Sequence, residues 1–160
     1  MLRAAHLALL RIYRHLPRRA RLAIIHGIAP SFSVGAICVI ERSDGRVLVV
    51  RQSYRDRWGF PGGLLKRGEE AVDGARREAF EEVGLDIEVV GQPSVVVAPG
   101  PRRVDVIYRC RPAPGADPDT ARPTSPEIVE VRWAPRDELP ELQHEASGGL
   151  VALARASDPG

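Results

Sequence analysis

Glu78, Glu81 and Glu82 crowd one short stretch of a 160-residue chain, and that much carboxylate in one place asks for a chemical reason. The spacing around them predicts a helix from Glu70 to Val83, closed by Gly84. On a wheel of about 100° per residue, Val72, Ala75, Ala79 and Val83 share one stripe and should face the core. The three glutamates form a second stripe within about 100° of arc, pointing well away from the first. Carboxylates so close repel one another. A cluster of hard oxygen ligands is what Mg²⁺ or Mn²⁺ binds, and the cation would offset the repulsion. Taken alone, the stripe equally describes a solvated acidic face.

The wider spacing separates these readings. From Gly63 the pattern is G-x5-E-x7-R-E-U-x-E-E-x-G-U, with U apolar, carried by Gly63, Glu69, Arg77, Glu78, Ala79, Glu81, Glu82, Gly84 and Leu85. Seven fixed identities at ordinary residue frequencies give a chance match on the order of 10⁻⁸ per start position. This pattern resembles the Nudix box of the Nudix hydrolase family, with Ala79 a small choice at an apolar position. The preceding Trp58-Gly59-Phe60-Pro61-Gly62-Gly63 also resembles the family's usual entry, and the order of strands extends the resemblance over roughly residues 31 to 140.

The resemblance implies a Nudix α/β/α sandwich with a mixed sheet. It implies that Glu78, Glu81, Glu82 and the Gly62 carbonyl hold Mg²⁺ or Mn²⁺, and that Arg77 orients a glutamate through a charge-assisted hydrogen bond. Glu69 would restrain the junction of loop and helix. Gly62 and Gly63 let the backbone turn tightly and come close to a metal or phosphate, and Gly84 would be a left-handed helix stop. Gly63 and Gly84 shape the site and do no chemistry.

The implied reaction is attack of water on one phosphorus of a diphosphate, as in a nucleoside diphosphate linked to another group. A general base is also wanted. Glu78 is one candidate, and Glu127 or Glu130 near the strand Ile128–Trp133 is the other. Strand alternation places Glu127 with Val129, Val131 and Trp133, opposite Glu130. Glu127 is preferred, because the phrase from Glu127-Ile128 to Arg132-Trp133 resembles the family's late strand. ADP-ribose, nucleotide sugars and nucleoside triphosphates all stay open as substrates, since Pro101 past the box is a weak marker in a proline-rich turn and Tyr108 lies too far along. Arg51, Arg57 and Trp58, with Tyr54, precede the box and are substrate-binding candidates, by phosphate contact or base stacking. The rival is a non-catalytic Nudix-fold ligand-binding or sensor module. The whole box favours the enzyme.

The elements that must position these residues follow from periodicity. Phe32–Ile40 and Arg46–Gln52 read as strands, with Ser43-Asp44-Gly45 as hairpin chemistry between them. Short β-like runs follow at Ile87–Val90, Ser94–Ala98, Val104–Arg109 and Ile128–Trp133, a proline-rich loop spans Arg111 to Pro126, and a last helix is expected from Glu141 to Arg155. This gives two regions, an N-terminal basic helical extension over 1–30 and a Nudix domain over 31–160. The extension is amphipathic over residues 2 to 26, with Pro17 expected to kink or split it. It carries Arg3, Arg11, Arg14, Arg18, Arg19 and Arg21, and no acidic residue precedes Glu41. Its apolar stripe suits intramolecular cover or a homodimer interface better than contact of residues 1–28 with a membrane surface.

A hydrophobic share of 44% and a charged share of 28% describe a globular chain, and a net charge of +2 makes no case for nucleic acid. The partner expected is a small-molecule nucleotide substrate. Cys38 and Cys110 are isolated in apolar runs and read as buried free thiols, and the four histidines show no ligand spacing. With no run of eighteen apolar residues, a membrane-spanning helix is not expected, and a cytoplasmic location is.

Overall fold

The structure is a computed structural model that describes residues 2–29 and 31–157. The chain divides into two compact units, Met1–Phe32 and Ser33–Gly160. In the first, α1 (Leu2–His15) and α2 (Arg18–Ile28) are separated at Pro17. Proline has no N–H to continue the ladder of α1, but its φ of −54° suits the start of a helix, and its carbonyl accepts the Arg21 N–H at 3.1 Å. Among the described residues no helix is long and apolar enough to cross a membrane.

The second unit contains β1 (Ser33–Ile40), β2 (Arg46–Gln52), β3 (Trp58–Gly59), β4 (Gly62–Leu64), α3 (Ala71–Val83), β5 (Ile87–Ala98), β6 (Arg103–Pro112), a 3₁₀ turn at Pro118–Thr120, β7 (Ile128–Pro135) and α4 (His144–Ser157). Two sheets form. One has the order β4-β1-β6-β5, with β1 and β6 parallel and the outer pairs antiparallel. The other is β3-β2-β7, antiparallel throughout.

The Ser43-Asp44-Gly45 turn forms, with the Asp44 side chain accepting the Arg46 N–H at 3.1 Å. It does not, however, make β1 and β2 a hairpin. One bridge, Glu41 to Val47, joins them before they diverge into different sheets. Each strand has two edges only. Those of β1 go to β4 and β6, and those of β2 to β3 and β7. The two short runs after the box are likewise one strand, β5, broken in register between Val90 and Ser94.

Both faces of the central strands are covered, which explains their unbroken apolar runs. Ala36, Cys38 and Ile40 pack with Leu48, Val50 and the α3 stripe of Ala75, Ala79 and Val83. Ile37 and Val39 pack with Val47, Val49 and Ile107 against Ala146 and Leu153 of α4. The result is the expected α/β/α sandwich. Leu48 is fully buried, so its truncation to Ala should cost about 2–5 kcal/mol. Cys38 and Cys110 are buried free thiols, and Cys38 Sγ donates to the Ala75 carbonyl at 3.1 Å.

Candidate active site

The C-terminal half of α3 meets β4 at one end of a cavity of about 590 Å³. The antiparallel register Ile37↔Gly62 and Ala36↔Gly63 lays β4 along the edge of β1. A Cβ on Gly63 would come within 2.5 Å of Glu78 Oε1, so glycine here leaves room for the Glu78 carboxylate beside β4. The helix ends at Gly84, whose φ of 68° is the left-handed stop expected there.

The acidic stripe is not a uniformly solvated face. Glu82 is buried, at 5% exposure, and its Oε2 accepts the Gly62 N–H at 2.9 Å. Burial pushes its carboxyl up to about 8, and the charges of Glu78, Glu127 and Glu81 add to the rise, while the Gly62 hydrogen bond opposes it. The turn Gly62 sits on covers this end of the helix, which a wheel drawn on an isolated helix cannot show.

Arg77 organises the other carboxylates. Its Nε and Nη2 donate to the two oxygens of Glu69 at 2.7 and 2.8 Å, and its Nη1 donates to Glu78 at 2.6 Å and Glu81 at 3.0 Å. Nη2 also reaches the Leu64 carbonyl at 3.2 Å, which ties the helix to β4. The Glu69 carboxylate also accepts the Lys66 N–H at 2.7 Å. The Arg77 fork and that amide hold Glu69 at about 2. The Arg77 hydrogen bond lowers Glu81 as well, helped by Lys66, and the carboxylates push the guanidinium up.

Glu127 reaches the cavity through a capping arrangement. Helix α3 leaves its last carbonyls unsatisfied. The loop before β7 supplies partners: Thr124 N–H donates to the Glu82 carbonyl at 3.0 Å and Thr124 Oγ1 to the Glu81 carbonyl at 2.9 Å. Ser125, Pro126 and Glu127 are thereby set on the cavity wall beside α3. The Tyr54 hydroxyl lies 3.5 Å from Glu127 Oε2, and burial followed by the Glu127 charge raises its pKa. The Ser125 hydroxyl is buried and makes no hydrogen bond.

The cavity thus joins Gly62, Gly63, Arg77, Glu78, Glu81, Glu82 and Glu127. It does not include Arg51, Arg57, Trp58 or Glu130. Arg51 pairs with Glu130 at 2.9 Å, Arg57 pairs with Glu141 at 2.7 Å, and the Trp58 ring lies under Arg132 at 4.6 Å. Gln52, the residue after Arg51 and on the opposite face of β2, lines the cavity, as do Tyr54 and Arg55 of the turn that follows the strand. Arg103, Gln143 and Glu145 line it as well. No motif marks these last residues in the sequence.

Among the described residues no three His, Cys, Asp or Glu side chains are gathered to hold an ion, because Arg77 draws Glu78 and Glu81 to itself. The donor chemistry nevertheless fits a hard divalent cation. Glu78, Glu81 and Glu82 offer carboxylate oxygens at one end of one cavity, and Glu82 is buried among like charges that raise its pKa.

Comparison with known proteins extends the match beyond the box. The NUDIX domain family matches residues 31–153. A MutT-like protein of Streptomyces ambofaciens is 34% identical over 116 residues, which cover 72% of this chain and 72% of that protein. A NUDIX hydrolase from Nitrosomonas europaea has a TM-score of 0.66 to this structure at 26% identity, covering 76% of this chain and 69% of its own. An ADP-ribose pyrophosphatase from Streptococcus suis 89-1591 has a TM-score of 0.61 at 26% identity, covering 78% of this chain and 91% of its own. With the box residues gathered on one cavity and the family match running through both sheets, the chain belongs to the Nudix hydrolase family.

Proposed function

We propose that residues 31–160 hydrolyse the diphosphate linkage of a nucleoside diphosphate joined to a further group, with Mg²⁺ or Mn²⁺ held by Glu78, Glu81, Glu82 and the Gly62 carbonyl. The observation that carries this reading is a single cavity of about 590 Å³ with Glu78, Glu81 and buried Glu82 on one wall and Glu127 beside them. Its volume suits a nucleotide-sized ligand.

The bound cation would neutralise phosphate oxygens and lower the pKa of a water molecule. The chain's own residues do the rest. Glu127 is the base: it takes the proton of the attacking water as the new P–O bond forms. The bond from that phosphorus to the bridging oxygen breaks, and the leaving phosphate keeps the electron pair. Glu130 is held by Arg51 and Glu78 by Arg77, which leaves Glu127 as the more accessible carboxylate. Arg77, locked by Glu69, sets the positions of Glu78 and Glu81. ADP-ribose, nucleotide sugars and nucleoside triphosphates all contain the linkage, and the likeness to an ADP-ribose pyrophosphatase supports the first.

The test is a hydrolysis screen with Mg²⁺ across ADP-ribose, nucleotide sugars, dinucleoside polyphosphates and nucleoside triphosphates. Turnover abolished by EDTA is the expected result. Tight binding of one of these without turnover of any would move the protein to the sensor reading.

A further inference from the structure

We infer that the unit Met1–Phe32, built from α1 and α2, is a docking surface that lays its apolar face on an anionic lipid bilayer. The inference does not depend on the hydrolase reading. The sequence puts Ala5, Leu9 and Ile12 on one stripe of α1, with Arg11 and Arg14 turned away from it. In α2 the row Ala20, Ile24 and Ile28 lies across the helix from Arg19 and His26. Folding leaves the apolar rows in solvent: Ile12 is 62% exposed, Ile28 is 80% exposed, and no residue of α2 is buried. A single exposed isoleucine needs no explanation, but isoleucines at helical spacing along two consecutive helices do.

Charge selects the occupant. The chain has 23 basic and 21 acidic residues, yet six arginines and no Asp or Glu precede Ser33. Ser33–Gly160 is therefore net negative, and attraction to an anionic surface is confined to the helical unit. Arg11, Arg14, Arg18 and Arg19 are exposed. A guanidinium on its long apolar stem reaches headgroup phosphates while the helix lies flat at the interface. A second copy of the chain would bring a like set of arginines with no carboxylate on either unit to offset them, which disfavours a self-interface. A single nucleic-acid strand would call on aromatic side chains for stacking, and Tyr13 is the only aromatic residue before Phe32. No described helix is long and apolar enough to cross the bilayer, so these helices would lie on it and bind reversibly. Periodicity alone fits internal cover or a homodimer, whereas exposure and charge together fit lipid.

The test is flotation of the full-length protein with vesicles of phosphatidylglycerol and phosphatidylcholine, beside vesicles of phosphatidylcholine alone. The anionic vesicles should carry the protein and the neutral ones should not. Raising salt from about 0.1 M to about 1 M should release most of it, since the screening length falls from ~10 to ~3 Å. I24D/I28D should weaken partitioning by about tenfold or more through lost apolar burial, and R14Q/R18Q/R19Q by about 100-fold through lost charge. All five positions are exposed, so both variants should fold, which far-UV circular dichroism checks. No flotation with anionic vesicles, equal flotation with neutral ones, or variants that float like the wild type would overturn the inference. So would a dimer in sedimentation velocity that I24D/I28D splits while vesicles go unbound, which would seat a second copy on the face. Binding of single-stranded RNA in place of vesicles would overturn it as well.

Discussion

The Gly62 amide donates to the Glu82 carboxylate at 2.9 Å across twenty residues of sequence, and so locks the start of β4 to the third glutamate of the acidic stripe. This contact places a group whose carboxyl sits at about 8 in the floor of the cavity. In the unfolded chain the same carboxyl titrates near its ordinary value of about 4.3. Between those values the folded protein keeps a proton that the unfolded chain has lost. Without metal, stability should therefore fall as pH rises from about 4.5 to about 8. Thermal melts in EDTA at pH 5 and pH 8 check this. A loss of ~1 kcal/mol would move Tm by about 3 °C, and E82Q should flatten the slope. An unchanged slope in E82Q would remove Glu82 as its source.

Activity should separate the roles of Glu82 and Glu127. E82Q removes a proposed metal ligand and should lower both cation affinity and turnover, by at least about 100-fold in rate. E127Q should slow turnover by about 10²–10⁴-fold while the rise in Tm on adding Mg²⁺ persists. If E127Q turns over at the wild-type rate, another group is the base.

Gly63→Ala tests the close approach of β4 to the helix. The new methyl group would meet the Glu78 carboxylate, the far end of a flexible side chain, and no backbone atom is among its near neighbours. The fold should survive within about 1 kcal/mol. Half-saturation by Mg²⁺ should rise about tenfold as Glu78 is pushed aside. An unchanged Mg²⁺ titration would mean that Glu78 does not hold the ion.

Arg77→Lys keeps the charge and loses the fork. A single ammonium cannot donate to Glu69, Glu78 and Glu81 in the present geometry, so Tm and activity should both fall, the latter by about 10–100-fold. Glu69 is depressed from 4.5 to about 2, so its contribution is present above 4.5 and lost as pH falls toward about 2. The Tm difference between wild type and R77K should shrink over that interval, which acid melts would show.

Local order was legible before any coordinates, because it depends on neighbours along the chain. The period of Val72, Ala75, Ala79 and Val83 requires a helix with one buried stripe, and Gly84 supplies the only residue type that enters the left-handed stop at no steric cost. The spacing from Gly63 to Leu85 likewise identifies the family, and Pro17, with no N–H to give, marks where the first helix must kink or split, the structure showing a split. Pairing between distant segments is a different matter. The turn at Ser43–Gly45 specifies a reversal but not which edges the strands then meet, so β1 and β2 part into separate sheets. Whether Glu82 is wet or buried depends on Gly62 and its turn lying over it. Glu127 stands in the cavity because Thr124 caps carbonyls of a helix more than forty residues earlier, and Arg55, Arg103 and Glu145 meet there from three separate elements. Such contacts are selected by the packing of the whole sandwich, where burial and edge pairing compete across the fold, and no local pattern encodes the outcome.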